Sequence, residues 1–148
     1  MKILLITIST LLSFYVAAEN WSLVHEEQGI KVYAGEYQKS GVIPFKALGV
    51  VNAPIHKVAE LIENDQLKPE WSPKLKSVII HERISKDELI FSEYYSTPWP
   101  AVDREFLLRG KIKRHSDEFI EYIGESIDNH YKDADHIQAL VKKLNFSL

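Results

Sequence analysis

The sequence contains no cysteine. This absence excludes a disulfide framework, a thiolate metal site and a cysteine nucleophile, so the fold must be stabilised by burial of apolar side chains. The chain also lacks a basic excess, because 18 lysines and arginines stand against 21 aspartates and glutamates, for a formal net charge of −3. A nucleic-acid-binding surface requires a basic face, so no nucleic-acid partner is expected.

Long apolar runs are scarce, and the longest, ILLITISTLLSFYV, covers residues 3–16. A helix of that length rises about 21 Å, which is shorter than the roughly 30 Å hydrocarbon core of a membrane. Lys2 precedes the run, and the small residues Val16-Ala17-Ala18 close it ahead of Glu19. This order indicates a secretory signal peptide over residues 1–18 more than a membrane anchor. The protein is therefore expected to be exported, to a periplasm or out of the cell.

Apolar periodicity predicts one α+β domain over residues 19–148. Hairpins are expected around Gln28-Gly29 and around residues 85–87. Apolar positions at helical spacing predict a helix that opens at Ala53-Pro54 and ends at Asn64-Asp65; they are Ile55, Val58, Ala59 and Ile62. Further strands are expected over residues 43–51, 104–114 and 118–127, so that the whole forms a meandering antiparallel sheet. The pattern of the tail, residues 136–148, fits a helix and a strand equally.

Catalytic and metal-binding motifs are incomplete. The stretch Gly124-Glu125-Ser126-Ile127-Asp128 lacks the second glycine of a hydrolase nucleophile elbow. His25-Glu26-Glu27-Gln28 lacks the second histidine of a zinc-binding helix. Residues 130–136 hold two histidines and two aspartates, a grouping interpreted as a solvated turn. No cofactor, metal site or catalytic residue is expected.

Several stretches together resemble the START domain family. They are Trp21 with Gly29–Tyr33, Phe45–Val51 before Ala53-Pro54, Trp71-Ser72-Pro73, and PWPAVDREF at residues 98–106. The resemblance covers essentially all of residues 19–148. It implies the START/Bet v 1-like helix-grip fold, in which a curved antiparallel sheet surrounds a C-terminal helix and encloses a tunnel for one hydrophobic ligand. It also implies that the tail is a strand, and that the last strands and the gripping helix are missing.

The function implied by this resemblance is non-enzymatic binding or transfer of a hydrophobic small molecule, with a lipid as partner. Two alternatives stay open: an enzyme of the related cyclase or hydrolase type that uses the same cavity, and a truncated interaction module without a ligand. A sheet without its gripping helix would leave an apolar face and edges uncovered. Oligomerisation is therefore expected, and size-exclusion chromatography tests it.

Alternation along two strands assigns the side chains that would line the cavity. One face of each strand is expected to point inward, and the two sets are Phe91, Glu93 and Tyr95, then Phe106, Leu108, Gly110 and Ile112. A buried carboxylate at Glu93 needs a partner or a proton. The resemblance to sterol-binding START proteins implies an arginine partner at the position of Gly110, which this chain lacks. The glycine is expected to leave room in the cavity, and an outward-facing Glu93 is the alternative.

The stretch Pro98-Trp99-Pro100 cannot join a sheet ladder well, because neither proline has an N–H to donate. The resemblance places residues 97–103 in a loop over the tunnel mouth. Trp99 is then a lid or a point of transient membrane contact, and the alternative is that its ring fills one end of the core. Asp103 and Arg104 are expected to fix the end of this loop by a local ion pair or by hydrogen bonds to the backbone.

We expect export to be accompanied by cleavage after Ala18, because small residues precede Glu19 directly after the apolar run. The intact mass of protein recovered from the exported fraction checks this prediction. A mass that still includes residues 1–18 would contradict it.

Overall fold

The structure is a computed structural model that describes residues 20–128, 130–133 and 135–148. The predicted signal peptide lies outside the described residues. The chain divides after Asn52 into two compact units, and each is described by itself. No helix in these ranges is long and apolar enough to cross a membrane.

The first unit contains a three-stranded antiparallel sheet in the order β1-β2-β3. Its strands are β1 (Ser22–Glu27), β2 (Ile30–Ala34) and β3 (Phe45–Leu48). Between β1 and β2, Gln28 and Gly29 have φ angles of 50° and 79°. Two successive residues with positive φ match the right-handed twist of a two-residue hairpin. The predicted hairpin is thus confirmed, and the third strand is shorter than the predicted 43–51.

The second unit contains a six-stranded sheet in the order β4-β5-β6-β7-β9, with β8 paired to β6. The strands are β4 (Leu75–Ser85), β5 (Glu88–Tyr95), β6 (Arg104–Ser116), β7 (Phe119–Ser126), β8 (Ile137–Gln138) and β9 (Leu144–Ser147). All pairs are antiparallel except β6 with β8. The α+β class is confirmed, although the strands form two sheets where the sequence predicted one meander. The tail is a strand, as the family resemblance implied.

The predicted helix is present as α1 (Ile55–Glu63), which follows Pro54 and ends before Asn64. Its Ala59 packs with Ile120 and Tyr122 of β7 in a buried cluster. Ile55 and Ile62 pack against the same cluster, because positions three or four apart share one helix face. A second helix of one turn, α2 (Lys68–Trp71), was not predicted. Helix α1 therefore covers only the part of the sheet formed by β7 and its neighbours.

The β5–β6 pair separates two environments. Phe91 lies opposite Leu108 and Glu93 opposite Phe106, and we call their side the cavity face. Ser92 lies opposite Leu107 and Tyr94 opposite Glu105, on what we call the opposite face. Because side chains alternate along a strand, the two sets cannot exchange faces without a shift of register.

Residues 130–133 and 135–139 pack against the opposite face, and we call them the covering segment. Tyr131 stacks on His81 with ring centroids 4.7 Å apart, and His136 contacts the edge of Tyr94. His136 Nδ1 also lies 3.0 Å from Asp133 Oδ2. The stretch lies between strands, as interpreted from the sequence, but Tyr131, Asp133 and His136 are half-buried and not fully solvated. Within the described ranges, no group of three or more potential ligands is arranged to hold a metal.

Glu105 joins the sheet to the covering segment. Its side chain is fully buried and accepts hydrogen bonds from Ser92 Oγ at 2.6 Å, Tyr94 OH at 3.2 Å, the Asp133 amide at 2.8 Å and Gln138 Nε2. Burial raises the pKa of this carboxyl, but the four hydrogen bonds together lower the pKa below its ordinary value. The alternation that points Phe106 towards the cavity also places Glu105 on the opposite face, but it did not predict that Glu105 is buried.

We expect Glu105→Ala to lower the free energy of unfolding by about 3 kcal/mol, because several buried donors lose their acceptor. The exposed Glu82→Ala should change it by less than about 0.5 kcal/mol. Urea unfolding of both variants measures this difference.

The difference in stability between wild type and Glu105→Ala should also depend on pH. The folded-state pKa of Glu105 is lowered, so its carboxylate stabilises the fold fully above the ordinary carboxyl pKa. That stabilisation is lost as pH falls through the folded-state pKa. The gap between wild type and Glu105→Ala should therefore shrink below about pH 4. A gap that is constant from neutral to acidic pH would contradict the assignment.

Candidate ligand-binding site

A cavity of about 160 Å³ lies on the cavity face of the second unit and opens to solvent. Its wall is formed by α1, α2 and the strands β4, β5, β6, β7 and β9. The apolar side chains that line it are Ile62, Leu89, Phe91, Leu108, Ile112, Ile123, Leu144 and Phe146. The wall combines these apolar side chains with charged ones, which are Glu63, Asp65, Lys68, Arg83, Lys86, Glu93 and Lys111.

Five of the seven residues predicted to form the cavity line it in the structure: Phe91, Glu93, Leu108, Gly110 and Ile112. The other two, Tyr95 and Phe106, lie beside it. Their rings meet edge to face with centroids 5.4 Å apart. Tyr95 OH donates a hydrogen bond to Glu93 Oε2 at 3.1 Å, so Tyr95 contacts the wall without belonging to it. Whether these residues contact a ligand stays a prediction.

Glu93 faces the cavity and forms an ion pair that the sequence did not predict. Lys68 Nζ lies 2.6 Å from Glu93 Oε1, and both side chains are largely buried. The partner expected from the resemblance was an arginine on the next strand, where Gly110 stands. Instead, α2 provides the cation from 25 residues earlier in the chain. Burial, reinforced by the nearby Glu93 carboxylate, raises the pKa of Tyr95.

Gly110 and Gly124 lie directly opposite each other on β6 and β7 and leave the floor of the cavity without side chains. A Cβ added at Gly110 would come within 2.9 Å of Phe91 Cε1. The Phe91 ring therefore takes up part of the room that Gly110 was expected to leave in the cavity, although Gly110 itself lines the cavity. A Cβ at Gly124 would meet Leu144 Cβ at 3.6 Å, an ordinary contact.

A second polar cluster lies where α1 ends beside the cavity. Glu63 accepts hydrogen bonds from Tyr122 OH and from Arg114 Nη2, each at 2.7 Å. Arg114 also contacts Asp87 at 3.2 Å. Burial and the Glu63 carboxylate raise the pKa of Tyr122 above its ordinary value. Tyr122 stacks on Phe146 with centroids 4.5 Å apart, so this part of the wall is held in place by several contacts.

The loop between β5 and β6 carries Pro98, Trp99 and Pro100 outside the sheet. Trp99 is 93% exposed, which does not fit the alternative that its ring fills the core. Asp103 accepts hydrogen bonds from the Thr97 amide at 2.9 Å and from Lys76 Nζ at 2.7 Å. The side chain of Arg104 makes no ion pair or hydrogen bond within the described ranges. Asp103 therefore anchors the loop through Thr97 and Lys76, and the expected contribution of the Arg104 side chain is wrong.

Sequence reasoning missed Lys68, Gly124, Glu63 and Tyr122 as cavity residues. Lys68 precedes a proline in a polar connector, and nothing in its neighbours distinguishes it from other surface lysines. Gly124 could have been found, because continuing the antiparallel alternation from Gly110 onto the next strand places it on the same face.

The chain is similar to proteins of one known family. The model of the START domain matches residues 9–133 of the chain. The ceramide transfer protein of Xenopus laevis is 29% identical over 97 residues, which are 64% of this chain and 16% of that protein. The present chain therefore spans a small part of that relative.

Solved structures show the same fold. A STAR-related lipid transfer protein from Xanthomonas axonopodis superposes with a TM-score of 0.76 at 19% identity, covering 86% of this chain and 72% of that one. Human StAR-related lipid transfer protein 5 superposes with a TM-score of 0.72 at 14% identity, covering 86% and 69%. The predicted helix-grip fold is confirmed by these likenesses.

We expect Lys68→Met and Glu93→Gln each to lower the free energy of unfolding, because each leaves a largely buried partner without its counter-charge. In the double variant the losses should not add, and the interaction energy should be about 1–3 kcal/mol. Urea unfolding of the four proteins measures this cycle. The exposed pair Lys57–Glu60 serves as the control and should couple by about 0.5 kcal/mol or less. Additive losses at Lys68 and Glu93 would show that the pair is not formed.

Proposed function

Because this chain belongs to the START domain family, we propose that it binds a lipid in the cavity on its sheet, without catalysing a reaction on it. The observation that carries the proposal is an apolar cavity with a largely buried ion pair, Lys68–Glu93, in its wall. Apolar walls provide affinity for hydrocarbon, and a few placed polar groups orient a ligand. The names of the relatives, a ceramide transfer protein and StAR-related lipid transfer proteins, support the same class of ligand.

The ion pair favours a lipid with an uncharged polar group. Lys68 and Glu93 neutralise each other, so a charged head group beside them would find no free counter-charge. A lysine ammonium has three N–H donors, and Glu93 Oε1 accepts one of them. The remaining donors suit a hydroxyl, ester or amide oxygen of the ligand.

The contact between Ser92 and His81 gives the alternative of an enzyme no support. Ser92 Oγ lies 2.8 Å from His81 Nε2, but Ser92 is fully buried on the opposite face. Its hydroxyl also donates to Glu105. A nucleophile must reach its substrate, so this arrangement is better explained as part of the Glu105 network.

The exposed Trp99 supports transfer of the lipid to or from a membrane. A tryptophan ring with a polar N–H suits the boundary between lipid and water. We propose that Pro98, Trp99 and Pro100 present this ring to a membrane surface, and that the protein acts after export of the mature chain.

Lipid binding is tested with a variant whose added side chain fills part of the cavity. We expect Gly124→Val to lower lipid uptake about tenfold, equivalent to about 1.4 kcal/mol, because its methyl groups would occupy the floor. Stability should change little, since Cβ meets only ordinary contacts and valine suits a strand. The purified protein is incubated with vesicles of dioleoylphosphatidylcholine that carry ceramide and monoolein, separated, and analysed by native mass spectrometry for bound lipid.

Ser77→Val on the exposed surface of β4 is the matched control and should leave uptake unchanged. If wild-type protein carries none of the three lipids, the lipid-binding proposal is wrong and the interaction-module alternative is favoured. Equal uptake by wild type and Gly124→Val would place the ligand outside this cavity.

The role of the Pro98–Pro100 loop in lipid transfer is tested with a Trp99 variant. We expect Trp99→Ala to slow lipid transfer between vesicles while the urea midpoint stays within the error of the measurement, because the ring is exposed and contributes little burial. Transfer that is unchanged in Trp99→Ala would remove this loop from the mechanism.

A further inference from the structure

The Phe91 side chain crosses the cavity floor. Its Cε1 lies so close to Gly110 that a Cβ there would be only 2.9 Å away, which means that the ring rests on bare backbone. On its other side, Lys68 Nζ lies 5.2 Å from the ring centroid. The ring is thus enclosed between the floor and the cation that pairs with Glu93.

Phe91 is held less firmly than the other aromatic residues of the wall. Tyr122 donates a hydrogen bond to Glu63 and stacks on Phe146. Among the residues that the structure describes, Phe91 has no ring partner; its side chain carries no hydrogen-bonding group and is only partly buried. The contact with Lys68 is a cation–π interaction, which is a weak restraint at a partly exposed site.

The volume of the cavity limits what can enter it. At about 160 Å³, it is smaller than the roughly 300–1,000 Å³ that is usual for small-molecule sites. A cavity of this size, open to solvent, holds only part of one acyl chain, and two chains side by side require a wall residue to move or to be absent. The Phe91 ring already occupies space above Gly110, on the floor of this cavity.

We infer that Phe91 restricts the cavity to one acyl chain and makes this protein selective for single-chain lipids with an uncharged head group. The inference rests on the proposed lipid binding and adds the class of lipid. Phe91 acts as a specificity determinant, because its ring, lying on Gly110, excludes the second chain.

The test compares monoolein with dioleoylglycerol, which share an uncharged glycerol head group and differ in the number of chains. Each is supplied in vesicles of dioleoylphosphatidylcholine, and bound lipid is counted by native mass spectrometry. Wild-type protein should prefer monoolein about tenfold, and Phe91→Ala should reduce the preference to near equality by gaining dioleoylglycerol. Phe119→Ala, which removes an exposed phenylalanine outside the cavity, should keep the wild-type preference.

Folding of each variant is checked by circular dichroism. If Phe91→Ala does not fold, Phe91→Leu decides, because it also removes the ring and keeps more of the apolar volume; it should weaken the preference in the same direction. Equal binding of the two lipids by wild type, or an undiminished preference in the folded Phe91 variant, would overturn the inference and leave lipid binding intact. Absence of both lipids from wild-type protein would overturn the inference together with the proposed function.

Discussion

The register between β5 and β6 is the constraint on which the second unit depends. It places Glu93 opposite Phe106 and Glu105 opposite Tyr94, so two carboxylates of neighbouring strands point to opposite faces of one sheet. A carboxylate removed from water must be paired or hydrogen-bonded. Each face therefore acquires its own partners: Lys68 of α2 for Glu93, and Ser92 and the covering segment for Glu105. A shift by one residue would exchange both environments and leave both charges unpaired.

The two faces consequently have different properties. On the opposite face, Glu105 and the stacked rings of His81 and Tyr131 fill the space against the sheet, so this side is a structural support. On the cavity face, Gly110 and Gly124 add no side chains to the floor, the Phe91 ring lies over Gly110, and α1 covers only one part. A packed face behind a partly open cavity is the arrangement on which the proposed lipid site depends.

Local sequence rules predicted the elements and the face of the site. The helix after Pro54 and the hairpin at Gln28-Gly29 depend on residues that are close in the chain, and both are present. Strand alternation placed Phe91, Glu93, Leu108 and Gly110 on one side, and all four line the cavity. The need of Glu93 for a partner also followed from elementary electrostatics. The same alternation would have included Gly124, had it been continued onto the next strand.

What the sequence could not supply is the identity of the partners that meet across the fold. Lys68 reaches Glu93 over 25 residues, the Asp133 amide reaches Glu105 over 28, and Tyr122 reaches Glu63 over 59. Contacts between residues so distant in sequence depend on how helices and segments pack on the sheet, and no local spacing encodes that packing. The sequence by itself determined the periodicities, and hence the strands, the helix and the apolar face. Only the tertiary structure decided that Glu93 pairs with a lysine of α2, that Glu105 is buried, and that the Phe91 ring fills the space left by Gly110.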